Sequence, residues 1–144
     1  MRTALLLTLL GAISWAGETF GVWKLDPARS TLVEKQKTVT VRIEPHIRGE
    51  VFTLDTIAAD GRASTSSTIL YFDGKTRDFQ DSACAGTQSS RRVDSRTVEI
   101  LRECSGRQVR LIRWAETPRV LILEIIEQNS DGRRSERRLV MEKQ

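Results

Sequence analysis

What most constrains this chain is a rhythm of short β-prone runs broken by turn residues, with no stretch that reads as a long amphipathic helix. From Phe20 onward, segments rich in Val, Ile, Leu, Thr and Phe recur about every eight to twelve residues. The clearest is Thr38 to Glu44, where Val39, Val41 and Ile43 fall on one face and Thr40, Arg42 and Glu44 on the other. A period of two marks a strand with one buried face. By the same reasoning strands are expected over Phe20–Leu25, Glu50–Ala58, Ala63–Phe72, Arg77–Gln80, Gln88–Val93, Thr97–Cys104, Gln108–Glu116, Arg119–Gln128 and Arg133–Glu142. Ala28 to Gln36 is a connection with room for one helical turn. Asp60-Gly61 and Asp73-Gly74 each sit between β-prone runs, the hairpin pattern, because Gly accepts the positive φ such turns need.

An all-β chain without helices to cover a sheet face must form a sandwich or close on itself. Short connections favour closure over a Greek-key sandwich, which needs long crossings. The expected fold is therefore an antiparallel up-and-down meander of about eight to ten strands closed into a small barrel.

The start of the chain points to export. Arg2 precedes an apolar stretch, Ala4 to Ile13, and Ser14-Trp15-Ala16 supplies a small-x-small cleavage pattern, the layout of a signal peptide over residues 1–16. The apolar run is about ten residues where a spanning helix needs roughly 20. With no Cys after the cleavage pattern, a lipid anchor is not expected. Residues 17–144 then form one domain in the periplasm or outside the cell, without a membrane span. Losing Arg2 takes the formal charge from +4 to +3. Arg alternates with Asp and Glu along most of the chain, so no nucleic-acid partner is expected.

Cys84 and Cys104 fit an oxidising compartment. If Val93 pairs with Thr97 across Asp94-Ser95-Arg96, Cys104 stands opposite Gly86, and Cys84 is two positions away. One bulge or a loose loop brings the sulfurs within bridging range, so a structural disulfide is expected.

Gly21-Val22-Trp23-Lys24-Leu25 resembles the Gly-x-Trp first strand of lipocalins and the opening strand of fatty-acid-binding proteins. Leu139-Val140-Met141-Glu142-Lys143 resembles the Arg-x-Tyr-Glu-Lys close of the latter. The opening through Ser30, Val39 to Glu44, Asp94 to Glu99 and the final Glu-Lys-Gln also resemble a group of uncharacterised exported bacterial lipocalin-like proteins. The resemblance implies that Trp23 plugs one end of a barrel, under a basic side chain of the last strand. It also exposes a departure. Leu139 and Met141 stand where fatty-acid-binding proteins place the Arg and Tyr that hold a carboxylate, and Asp26 to Lys37 is short for their helical cap.

His46 is the only histidine and is expected in a loop. No Gly-x-Ser-x-Gly, His-Glu-x-x-His or Walker-type motif is present, so neither an enzyme nor a metal or cofactor site is expected. On the last strand Arg137 shares parity with Leu139 and Met141 and is the leading inward polar contact. Arg102 shares parity with Val98 and Ile100, and Arg113 with Val109 and Leu111. The bland alternative places these charges at a wet rim. Arg119 to Gln128 is apolar on both faces, through Leu121, Leu123 and Ile125 and through Val120, Ile122 and Ile126. Its outer face is either covered, by the N-terminal segment or a protein partner such as a second copy, or carries scattered apolar residues. Two functions follow. One is a barrel binding a small hydrophobic or amphipathic ligand near Arg137, Arg113, Arg102, Leu139 and Met141; the other is a filled barrel that meets a protein partner through its wall.

Overall fold

The structure, a computed structural model, describes residues 19–31 and 36–144, so the signal-peptide expectation for residues 1–16 lies outside the described residues. Among them ten strands form one antiparallel sheet: β1 (Gly21–Leu25), β2 (Gln36–His46), β3 (Gly49–Ala58), β4 (Ala63–Leu70), β5 (Arg77–Gln80), β6 (Ala85–Arg92), β7 (Thr97–Cys104), β8 (Arg107–Thr117), β9 (Val120–Asn129) and β10 (Arg134–Lys143). Their order in the sheet is β4-β3-β2-β1-β10-β9-β8-β7-β6-β5. Every neighbour is the next strand in sequence except at β1–β10, where the first strand closes on the last, with Trp23 opposite Lys143 and Leu25 opposite Met141. The result is a nearly closed barrel whose ladder is interrupted between β4 and β5.

That interruption corrects the reading of Asp73-Gly74 as a hairpin. Phe72 takes φ 56°, Asp73 bridges to Arg91 of β6, and Gly74 N–H donates to the Ser90 carbonyl at 2.9 Å. The Asp73 carboxylate meanwhile grips both terminal nitrogens of Arg77 (2.9 and 2.7 Å) and the Lys75 N–H (3.0 Å). The chain is thus drawn across to β6 instead of folding back onto β4. Side chains span the opening: Ser66 Oγ donates to Asp81 Oδ2 and Gln88 Nε2 to Thr68 Oγ1, each at 2.9 Å.

At Asp60-Gly61 the expected turn forms between β3 and β4, with Gly61 at φ 85°. The β6–β7 hairpin has the expected register, with Val93 N–H donating to Thr97 (2.9 Å) and Gly86 opposite Cys104. Cys84 and Cys104 are disulfide-bonded, their Cα atoms 4.9 Å apart. Gly86 is required there, because a Cβ would collide with the Glu103 carbonyl oxygen.

Strand alternation sends one face of each ladder to the axis. Trp23, Val41, Ile43, Phe52, Leu139 and Met141 point inward and pack into one cluster. Each fully buried side chain of this kind contributes about 1.5–3 kcal/mol. Antiparallel alternation also sorts the turns into two groups. The β2–β3, β4–β5, β6–β7 and β8–β9 turns share one end, here the closed end; the end of β1, the start of β2 and the remaining turns share the other, here the mouth.

Candidate functional site

At the closed end, sequence parity has turned Trp23 inward, and packing leaves it with no exposed surface. Its Nε1–H donates to the Thr19 carbonyl at 2.9 Å, and the ammonium of Lys143, on the last strand, stands 5.5 Å from the ring centroid. Beside this plug an ion pair crosses the lumen. Glu50 on β3 and Arg113 on β8 belong to strands five places apart in an order of ten, hence on opposite walls. Arg113 Nη2 donates to Glu50 Oε2 at 2.6 Å, with the residues 2% and 1% exposed. Arg92 Nη2 comes within 3.6 Å of Glu50 Oε1, and Arg113 lies over the Phe52 ring at 5.5 Å. Burial pushes the Arg113 guanidinium below its usual value against the opposing pull of Glu50. Glu50 Oε1 and Arg113 Nη1 are enclosed without a hydrogen-bond partner. A buried pair like this is costly to break and is weak evidence for stability. Its geometric effect is plain: it bars the lumen at this level.

Towards the mouth the inward side chains change character. Leu54, Thr56, Ser66, Thr68, Glu127 and Arg137 are half-buried and Ser64 is exposed. Here Arg102 is nine-tenths buried, its Cζ 4.2 Å from the centroid of Phe79 and its Nε donating to Gln88 Oε1 at 2.9 Å. Because Gln88 also donates to Thr68, a polar relay runs from β7 through β6 to β4 across the sheet opening. The opening forms a cleft of about 210 Å³ lined by Thr68, Tyr71, Lys75, Arg77, Gln88 and Ser90, among others. Arg77 is fixed there by Asp73 and by stacking on Tyr71 at 3.9 Å. Burial holds Arg102 below the usual guanidinium value, with the more distant charge of Asp81 acting the other way.

The expected site residues therefore do not converge. Leu139 and Met141 sit in the packed core, at 2% and 0% exposed. Arg113 is occupied by Glu50. Arg137 is inward but engaged by Glu127 at 3.2 Å. Arg102 stands towards the mouth and bonds Gln88, which lines the cleft. His46 ends β2 rather than sitting in a loop, and its Nδ1 accepts from the Arg48 N–H at 3.1 Å. On the outer wall Ile122 is fully buried between Trp114 and Val140, and the Arg138 guanidinium lies 5.6 Å from the Trp114 ring. Sequence reasoning missed Glu50, Gln88 and Glu127. Parity with Phe52 would have turned Glu50 inward, but nothing in the chain names its partner. Among the described residues no three His, Cys, Asp or Glu gather as a metal site requires, and no helix is long and apolar enough to cross a membrane.

A barrel of ten antiparallel strands, closed between its first and last strands and open between its fourth and fifth, has the calycin fold, and comparison with solved structures shows the same fold. A fatty acid binding protein of Schistosoma mansoni, solved with arachidonic acid, superposes with a TM-score of 0.61 over 90% of this chain and 98% of its own, at 10% identity. A mutant of the fluorescent protein UnaG superposes with a TM-score of 0.61 over 89% of this chain and 97% of its own, at 11% identity. At such identities the likeness shows the fold. No protein-family model matches the sequence, and comparison with curated proteins finds no relative.

Proposed function

We propose that this chain is an exported binding barrel that takes a small hydrophobic or amphipathic molecule in its open half. One observation carries the reading: inward side chains at the closed end have almost no free surface, whereas Leu54, Thr56, Ser66, Thr68, Glu127 and Arg137, towards the mouth, keep part of theirs. The ligand-bound state of one similar barrel, with its arachidonic acid, supports the direction. The filled end limits the size, since a long chain has nowhere to go past Glu50 and Arg113. A role in docking other proteins is less well supported by the outer wall. Ion pairs stud it, among them Arg91 and Arg110 on Glu99, Arg138 on Glu124 and Arg42 on Asp55, around a half-exposed Leu101.

The test is titration of the folded protein with 1-anilinonaphthalene-8-sulfonate, followed by NMR shift mapping. The expected result is saturable binding, with shifts on β4 to β7 and little change at Trp23. Fluorescence that rises without saturating, with no localised shifts, would overturn the reading.

A further inference from the structure

We infer that the closed end of the barrel is a docking face for an anionic lipid surface, with Ile47 and Val93 dipping into the bilayer interface inside a fringe of basic side chains. The inference is independent of any ligand in the lumen. Its first ground is exposure. Among the described residues Ile47, 96% exposed, and Val93, 52% exposed, are the two barest large apolar side chains. Both stand in closed-end turns, β2–β3 and β6–β7. One bare aliphatic side chain is common on a protein surface; two at the same end, with basic neighbours, form a pattern. The second ground is charge. The four turns at the closed end carry Arg48, Lys75, Arg96 and Arg119 against Asp73 and Asp94. The four at the mouth carry Arg62 and Arg133 against Asp60, Asp81 and Asp131. Of the closed-end acids, Asp73 is bound to Arg77, and Asp94 Oδ1 accepts from the Arg96 and Thr97 N–H groups. Glu44, Glu116 and Glu142 stand on the strands behind the turns. Arg48 and Lys75 form no ion pair among the described residues.

The two tips are also held as parts of one face. His46 meets the Tyr71 ring edge-on at 6.4 Å and accepts the Arg48 N–H through Nδ1. Arg92 stacks on Phe72 at 4.3 Å, and Gly74 N–H donates to the Ser90 carbonyl. The β2–β3, β4–β5 and β6–β7 turns are thus fixed side by side, so docking has little left to order. Shape and charge together select the occupant. A specific protein partner takes a packed apolar core within about 800 Å² a side, which two aliphatic tips on separate turns do not supply. A lipid surface needs no matching shape. Its anionic headgroups meet the basic fringe, and the tips reach the acyl boundary just beneath. Docked in this way, the barrel turns its mouth away from the bilayer.

The experiment sediments the exported form of the protein with vesicles of phosphatidylcholine, or of phosphatidylcholine and phosphatidylglycerol in equal parts. Wild type should partition onto the mixed vesicles about tenfold or more tighter than onto the neutral ones, and should release as salt rises. Arg48→Gln with Lys75→Gln, and separately Ile47→Ser with Val93→Ser, should each weaken that partition about tenfold. Arg62→Gln with Leu101→Ser, altered away from the closed end, should match wild type. Equal partition onto both vesicles, or no loss in the Ile47→Ser, Val93→Ser variant, would overturn the proposal. Capture of polyglutamate as tightly as the mixed vesicles would overturn it in favour of an acidic protein partner. A dimer in ultracentrifugation that the same variant abolishes, without vesicle binding, would overturn it in favour of a second copy. Thermal melts confirm folding. Should a variant not fold, broadening of wild-type methyl resonances by a spin-labelled lipid decides: it should fall on Ile47 and Val93, and broadening centred on the mouth overturns the proposal.

Discussion

At the closed end, Trp23, Phe52 and their neighbours fill the axis and a Glu50–Arg113 pair spans it, so charge is neutralised inside the chain. Around the mouth and the β4–β5 cleft, polar side chains such as Gln88, Thr68 and Ser66 link neighbouring walls, and Arg102 bonds a neutral amide, with no carboxylate at ion-pair distance among the described residues. Both regions come from the same strands and the same alternation. What differs is whether each inward polar group finds its partner within the protein. An inward arginine in a barrel is therefore not by itself a ligand contact; its partners decide.

That contrast can be broken most forcefully at the closed end. Trp23→Ala should cost about 3–5 kcal/mol in urea unfolding, since a cavity replaces a fully buried ring. Glu50→Ala should cost a similar amount, about 3–5 kcal/mol, by leaving Arg113 buried and unpaired. Replacing the pair together, Glu50→Leu with Arg113→Met, should return stability close to that of wild type; a double variant as damaged as the single one would show that the pair does more than neutralise itself. Opening the disulfide with Cys84→Ser and Cys104→Ser should lower stability by about 3 kcal/mol on the chain-entropy account, its 20-residue separation setting the loop.

The outer wall supplies a control of intermediate size. Burial pushes the Glu99 carboxyl up, but hydrogen bonds from Arg91 and Arg110 outweigh it and hold it below the usual carboxylate range. A depressed native value means that the stabilisation is fully present above the unfolded carboxylate pKa and is lost as pH falls through the lower folded value. Urea midpoints should therefore fall on acidification below about pH 4, and Glu99→Gln should fall less steeply. The smallest effect belongs to the cleft. Thr68→Val removes one half-exposed hydrogen bond to Gln88 and should cost about 1 kcal/mol or less. A loss rivalling that of Trp23→Ala would erase the distinction between the two regions.

Much of the architecture was legible because strand alternation and turn residues are local signals. The Val39-Val41-Ile43 run, the Val93–Thr97 pairing and the Cys84–Cys104 bridge all follow from spacing along one or two neighbouring strands. The Asp73-Gly74 step was misread because its outcome depends on Arg77 and on β6, which compete with β4 for the same backbone. Partners across the lumen were the least legible. Parity makes Glu50 and Arg113 inward, yet only the stagger of the closed barrel brings residues 63 positions apart into contact. Parity with Leu139 and Met141 turns Arg137 inward, but Glu127 on the adjacent strand engages it. Arg102 likewise finds a neutral amide, Gln88, on the neighbouring strand, and no sequence pattern encodes that choice.

The seam between the first and last strands has a further consequence for how the molecule is made. Through most of synthesis β1 has a neighbour on one side only, and the plug at Trp23 lacks the strand that carries Met141 and Lys143. Cooperative closure must therefore wait until β10 is at hand to pair with β1, so that a shorter portion of the polypeptide can form no more than an unfinished, open ribbon.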